Sequence, residues 1–147
     1  MKRSLVVLGI AITMMVGWSV GRVQGQKAGA KKVVFASANQ ADYKPMGNTD
    51  EVSRAAIWGD SEKGAYATFT KFKPGWEAGM HTHTNDVLIV GIKGAYLYKD
   101  DDGEKRVGPG DFLRIPGGHK HWSGGDKSEG ALFYQEGSGK FDLIPAK

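Results

Sequence analysis

Beyond residue 32 the chain is a succession of short segments, each ended by turn residues before a helix of ordinary length could form. Tyr66-Ala67-Thr68-Phe69-Thr70-Lys71-Phe72 alternates large with small or polar residues, the period-2 pattern of a strand with one buried face. Segments 33–36, 55–58, 87–92, 95–98, 105–107, 112–115, 121–123 and 132–136 are further predicted strands. Asp100-Asp101-Asp102-Gly103 lacks the remaining ligands of a calcium loop and is expected to be a solvated hairpin turn. Outside the N-terminal segment no window carries apolar residues at a spacing of 3.6, and the 22 glycines fall mainly at the junctions. Many short strands with regular turns and no helices imply one all-β domain, an antiparallel barrel or sandwich.

The first residues follow a different logic. Met1-Lys2-Arg3 is a positive patch, residues 5–20 are apolar except for Gly9, Thr13, Gly17 and Ser19, and Val23-Gln24-Gly25 supplies a compact exit. These are the three parts of a secretory signal peptide, expected to span 1–25. The apolar run is short and glycine-weakened for a membrane anchor, so no stable membrane insertion is expected after cleavage. Residues 26–32 read as a flexible leader and 33–147 as the folded domain. A periplasmic or secreted location follows from this reading.

Export also changes the charge argument. Of 20 Lys and Arg, three (Lys2, Arg3 and Arg22) belong to the leader, leaving 17 against 16 acidic residues. The remaining arginines, Arg54, Arg106 and Arg114, are scattered, so nucleic acid is not an expected partner. Cysteine is absent, which excludes disulfides and thiolate-bound metal; any ion must be held by nitrogen and oxygen.

All four histidines sit in two pairs, His81 with His83 and His119 with His121. On a strand the i, i+2 spacing puts both rings of a pair on one face, within reach of one ion. Imidazole is the strongest metal ligand this composition offers.

The residues around the pairs resemble the two conserved motifs of the cupin superfamily. Gly75, five residues, then His81-Thr82-His83, continuing to Gly94, is similar to the first motif. Gly110, five residues, then Pro116-Gly117-Gly118-His119-Lys120-His121, is similar to the second. The resemblance implies a jelly-roll β-barrel of the small secreted bacterial type, with a homodimer as the common assembly. It implies metal ligands at His81, His83 and His121, and a divalent transition metal: Fe, Zn, Mn, Ni or Cu. The glutamate that the first motif normally contributes falls on Val87, which cannot ligate. Asn85 shares the histidine face and could offer a weak oxygen; His119 is expected at the rim, and Asp86 on the opposite face. Trp76 and Trp122 flank the histidines, and Arg114 could pair with a substrate anion.

Three neutral ligands leave a divalent ion close to +2, which favours an anionic small molecule such as an enolate, carboxylate or thiolate. The implied function is a metal-binding cupin, a small-molecule enzyme of dioxygenase-like or related chemistry. The alternative is a non-catalytic small-molecule binding or sensing module that uses the same pocket, with or without metal.

Overall fold

A computed structural model describes residues 32–147; the expected signal peptide and most of the leader lie outside the described residues. Eleven strands follow in order: β1 (Lys44–Pro45), β2 (Val52–Gly59), β3 (Tyr66–Phe72), β4 (Glu77–Thr82), β5 (Val87–Gly94), β6 (Tyr96–Asp100), β7 (Gly103–Val107), β8 (Phe112–Ile115), β9 (His121–Gly125), β10 (Ala131–Gly137) and β11 (Ile144–Pro145). They form a six-stranded sheet in the order β1-β2-β3-β10-β5-β8 and a five-stranded sheet in the order β11-β4-β9-β6-β7. Every paired strand runs antiparallel to its neighbour. The all-β jelly roll is the architecture anticipated.

Alternation decides which side chains enter. Along β10, Ala131, Phe133, Gln135 and Gly137 are buried while Leu132, Tyr134 and Glu136 are half-buried on the other side. The apolar part of the interior is built from Val87, Ile89, Tyr96, Tyr98, Val107, Ile115, Ala131 and Phe133, with Phe72 and Leu113 packed against it. The remaining interior is polar. Thr68, Thr70 and Gln135 from the six-stranded sheet and His81, His121 and Ser123 from the other are all buried. Buried polar groups of this kind are tolerated only when bonded. Thr70 Oγ1 donates to Gln135 Oε1 at 3.2 Å and Gln135 Nε2 donates to Tyr66 Oη at 2.7 Å.

Two glycines show why the motif spacing is kept. Gly94 closes β5 with φ of +63°, and a Cβ there would run into the Gly130 carbonyl oxygen. Gly79, with φ of +71°, takes up the bulge between Glu77 and Gly79 where β4 meets β9. Only glycine adopts such φ values without penalty, and a bulge re-aims the residues that follow it.

The prediction at the start of the domain fails. Residues 33–36 are unpaired, with Val33 98% and Phe35 90% exposed. Their β-branched and aromatic content favours extended backbone, but β1 instead pairs with β2 through Lys44↔Arg54 and Pro45↔Ser53. β2 also starts three residues earlier than predicted, which places Arg54 inside a strand. Sequence alone also left out β1, β4 and β11 as strands; two of them are only two residues long. The Asp100–Gly103 turn is a hairpin between β6 and β7, as expected.

Candidate metal centre

His81 near the end of β4 and His121 at the start of β9 are direct cross-strand partners. His83 lies just past β4, on the same side. The three are 1%, 0% and 7% exposed for His81, His121 and His83 respectively. Ring centroids are 4.2 Å apart for His81–His121, 4.9 Å for His81–His83 and 5.4 Å for His83–His121. One ring nitrogen from each lies within 4.8 Å of the others. Tetrahedral zinc–imidazole bonds of about 2.0–2.1 Å need nitrogens roughly 3.4 Å apart, a modest side-chain rotation away.

The tautomers are set by carbonyl oxygens, which can only accept. His81 Nδ1–H donates to Gly79 O at 2.8 Å, His83 Nδ1–H to Asp142 O at 2.5 Å, and His121 Nδ1–H to His119 O at 3.0 Å. With each Nδ1 engaged as a donor, each Nε2 carries a lone pair. The Nε2 of His121 is buried with no hydrogen-bond partner among the described residues. A buried polar atom left open in this way is unfavourable unless something binds it. Fixing one ring nitrogen on a carbonyl so that the other faces the metal is the usual outer-shell arrangement of metal-binding histidine.

Electrostatics favours the ligating form. Burial is the main cause holding His81 and His83 below the ordinary histidine value, and it takes His121 down to about 4. All three are therefore neutral at physiological pH, as metal ligation requires. Around them, the Tyr98 ring stacks on His121 at 5.4 Å, and Phe141 lies 5.4 Å from His83. A cavity of about 30 Å³ beside the rings is lined by His81, His83, Arg54, Gln135, Phe141 and Trp76 among others.

Among the described residues no carboxylate joins the three histidines. Val87 is a core residue at 4% exposure. Asn85 turns away, its Nδ2 donating to Lys140 O at 3.0 Å. His119 sits at the rim, 40% exposed and 3.0 Å from Asp100. Asp86 lies in the turn after β4, where it accepts from Gly117 N and from Arg114. Arg114 is thereby taken: its Nε and Nη2 hold Asp86 Oδ2 at 3.0 and 2.6 Å on the exposed surface, away from the cavity. Of the two tryptophans, Trp76 lines the cavity, while Trp122 pairs with Met80 on β4 and lines a hollow on the other side of the sheet.

Sequence reasoning missed Arg54, Gln135 and Phe141. The available signal was Arg54 at an i+2 position from Val52, on the face of a strand whose beginning was placed too late.

The cupin-domain family model matches residues 68–134. No curated protein sequence matches the chain. Several solved structures share its fold. The polyketide cyclase RemF from Streptomyces resistomycificus is 15% identical over 79% of this chain and 87% of that one, with a TM-score of 0.65. KdgF from Halomonas sp. is 17% identical over 68% of this chain and 90% of that one, with a TM-score of 0.55. A conserved protein with a double-stranded β-helix domain from Klebsiella pneumoniae is 16% identical over 78% of this chain and 100% of that one, with a TM-score of 0.59. At these identities the likeness is one of fold. Matched family model, two-sheet jelly roll and convergent histidines agree, and the chain carries a cupin domain.

Proposed function

We propose that this is a metal-dependent cupin of the periplasm or the secreted space, a small-molecule enzyme of dioxygenase-like or related chemistry with His81, His83 and His121 as metal ligands. The observation that carries this reading is the trio of buried neutral imidazoles, each fixed through Nδ1 on its own carbonyl, with His121 Nε2 lacking any partner. An all-imidazole donor set suits Zn, Cu, Fe, Ni or Mn. A bound ion of this kind would supply Lewis acidity toward an anionic oxygen or sulfur donor.

The chain's own residues do the rest. The three carbonyls orient the rings, Phe141 and Tyr98 shield them from water, and the cavity leaves a place for a small ligand. The alternative, a binding or sensing module without turnover, is favoured by the small cavity, which would have to widen for most substrates.

Elemental analysis of protein purified from the periplasmic fraction tests the main reading. The expected result is close to one transition-metal ion per chain, lost in His81→Ala and His121→Ala. Metal-free protein that also fails to take up zinc, manganese or iron would overturn it. Recovery in the cytoplasmic fraction at full length would overturn the location.

A further inference from the structure

The polar half of the interior holds a charge that, among the described residues, no carboxylate contacts directly. Arg54, on β2, lies opposite Thr70 and enters the cavity that His81 and His83 also line. The residue as a whole is part-exposed, but its Nε is out of contact with solvent and has no hydrogen-bond partner among the described residues. Its Nη2 makes one contact, to Gln135 Oε1, at 3.5 Å, the outer limit for a bond. No carboxylate oxygen lies within 4.0 Å of it among the described residues; Glu62 acts on it only at longer range. The Phe141 ring lies under the guanidinium, 3.8 Å from its carbon.

Arg114 shows what the same edge does when it is satisfied. Its Nε and Nη2 both reach Asp86 Oδ2, at 3.0 and 2.6 Å. Guanidinium presents these two donors as a fixed fork matched to the oxygens of a carboxylate, and stacks readily on an aromatic face. In Arg54 the fork is turned inward, stacked and nearly unused. Burial works against its charge, yet arginine does not deprotonate in proteins, so an anion is the partner that would relieve it.

We propose that Arg54 anchors the carboxylate of a small organic acid in this cavity, through its Nε and Nη2, so that the rest of the molecule lies toward His81 and His83. This deepens the metalloenzyme reading by naming the substrate class, and it rests on that reading only for the second half of the ligand. Gln135 takes no part in holding the anion: its Oε1, already receiving Thr70, would give up the long Arg54 contact once the carboxylate is seated.

The test uses the full-length chain stripped over a chelating resin, with acetate, acetamide and inorganic phosphate as probes. The Arg54 Nε–H resonance is followed by NMR and the melting temperature by calorimetry. Acetate is expected to shift the Arg54 resonance and raise the melting temperature at millimolar concentration; acetamide is expected to do neither. Arg54→Gln and Arg54→Lys should each weaken acetate binding at least tenfold, the second because lysine keeps the charge and loses the fork. Arg54→Gln without ligand should melt no lower than wild type, because an unbalanced charge has been removed. Acetate binding that survives Arg54→Gln, an unmoved Arg54 resonance in wild type, or an equal response to acetamide or phosphate would overturn the proposal.

A zinc arm separates the two readings. With zinc loaded, glycolate should bind at least tenfold tighter than acetate in wild type and equally in His81→Ala. Loss of zinc binding with an intact acetate response would sink the metal reading and leave Arg54 standing. Zinc binding with an acetate response indifferent to Arg54 would do the reverse.

Discussion

His81 and His121 stand directly opposite one another across β4 and β9, their ring centroids 4.2 Å apart. In an antiparallel pair, side chains in that relation are the closest neighbours two strands can offer. The strand ladder therefore holds two of the three proposed ligands at fixed separation, and only His83 depends on the connection that follows.

Removing the open nitrogen should remove the ion. His121→Ala is expected to abolish stoichiometric metal and to lose the response to chelator. In wild type, metal at a hundred times its dissociation constant stabilises by about 2.7 kcal/mol, on the order of 10 °C for a domain of this size. Calorimetry with and without chelator, alongside elemental analysis, checks both. A wild-type melting temperature indifferent to chelator at full metal occupancy would contradict the assignment.

Acid should weaken the metal-free protein earlier than its carboxylates would. Burial keeps the three imidazoles below the ordinary histidine value, His121 at about 4. In the unfolded chain they protonate near pH 6.5. Between roughly pH 6.5 and 4 the unfolded state therefore binds more protons than the folded state, and stability falls as pH falls. His121 alone corresponds to on the order of 3 kcal/mol across that window. Asp86, Asp100, Asp126 and Asp142 have folded values held below the usual carboxylate range, mainly by hydrogen bonds, so their losses come at lower pH. Urea midpoints of stripped protein from pH 7 to 4.5 should show this slope, and His81→Gln/His83→Gln/His121→Gln should flatten it.

The segment that carries Phe141 and Asp142 orients His83 without ligating. Asp142 gives its carbonyl oxygen to His83 Nδ1, and its carboxylate accepts from the backbone N–H (2.8 Å) and the hydroxyl of Thr84. Asp142→Ala should loosen this segment and weaken metal affinity about tenfold, at the low end for loss of an outer-shell partner, with stability reduced by about 1 kcal/mol. Competition against a zinc chelator measures the first. Unchanged affinity would show that the carbonyl of residue 142 keeps its place under His83 without the carboxylate bonds to Thr84.

Arg114→Ala should leave metal content and acetate binding unchanged. Its pair with Asp86 is exposed, and such pairs contribute about 0–1 kcal/mol. A large loss of ligand binding would mean that the Arg114–Asp86 pair positions the turn leading from His83 to β5.

How far the sequence discloses the molecule depends on how local each feature is. The histidine pairs are legible because strand alternation acts over two residues, and the glycines flanking them mark turns that only glycine tolerates. Residues 33–36 mislead because extended propensity says nothing about whether a pairing edge is available. Arg54 escapes for a related reason: alternation sorts β2 into two faces, but which face is interior is decided by β3 and β10. The acceptor for His83 lies 59 residues away, beyond any local pattern. Val87 is a case where the motif spacing marks the position, and the core contacts show what occupies it instead of a ligand.

The cavity draws its polar lining from opposite walls: His81 and Ser123 belong to the five-stranded sheet, Arg54 and Gln135 to the six-stranded one. An occupant touching both would act as a rivet through the sandwich. Backbone amides far from the cavity, along β6 and β3 alike, would then exchange with solvent more slowly and in concert, whereas with the hole unfilled each layer would loosen on its own schedule.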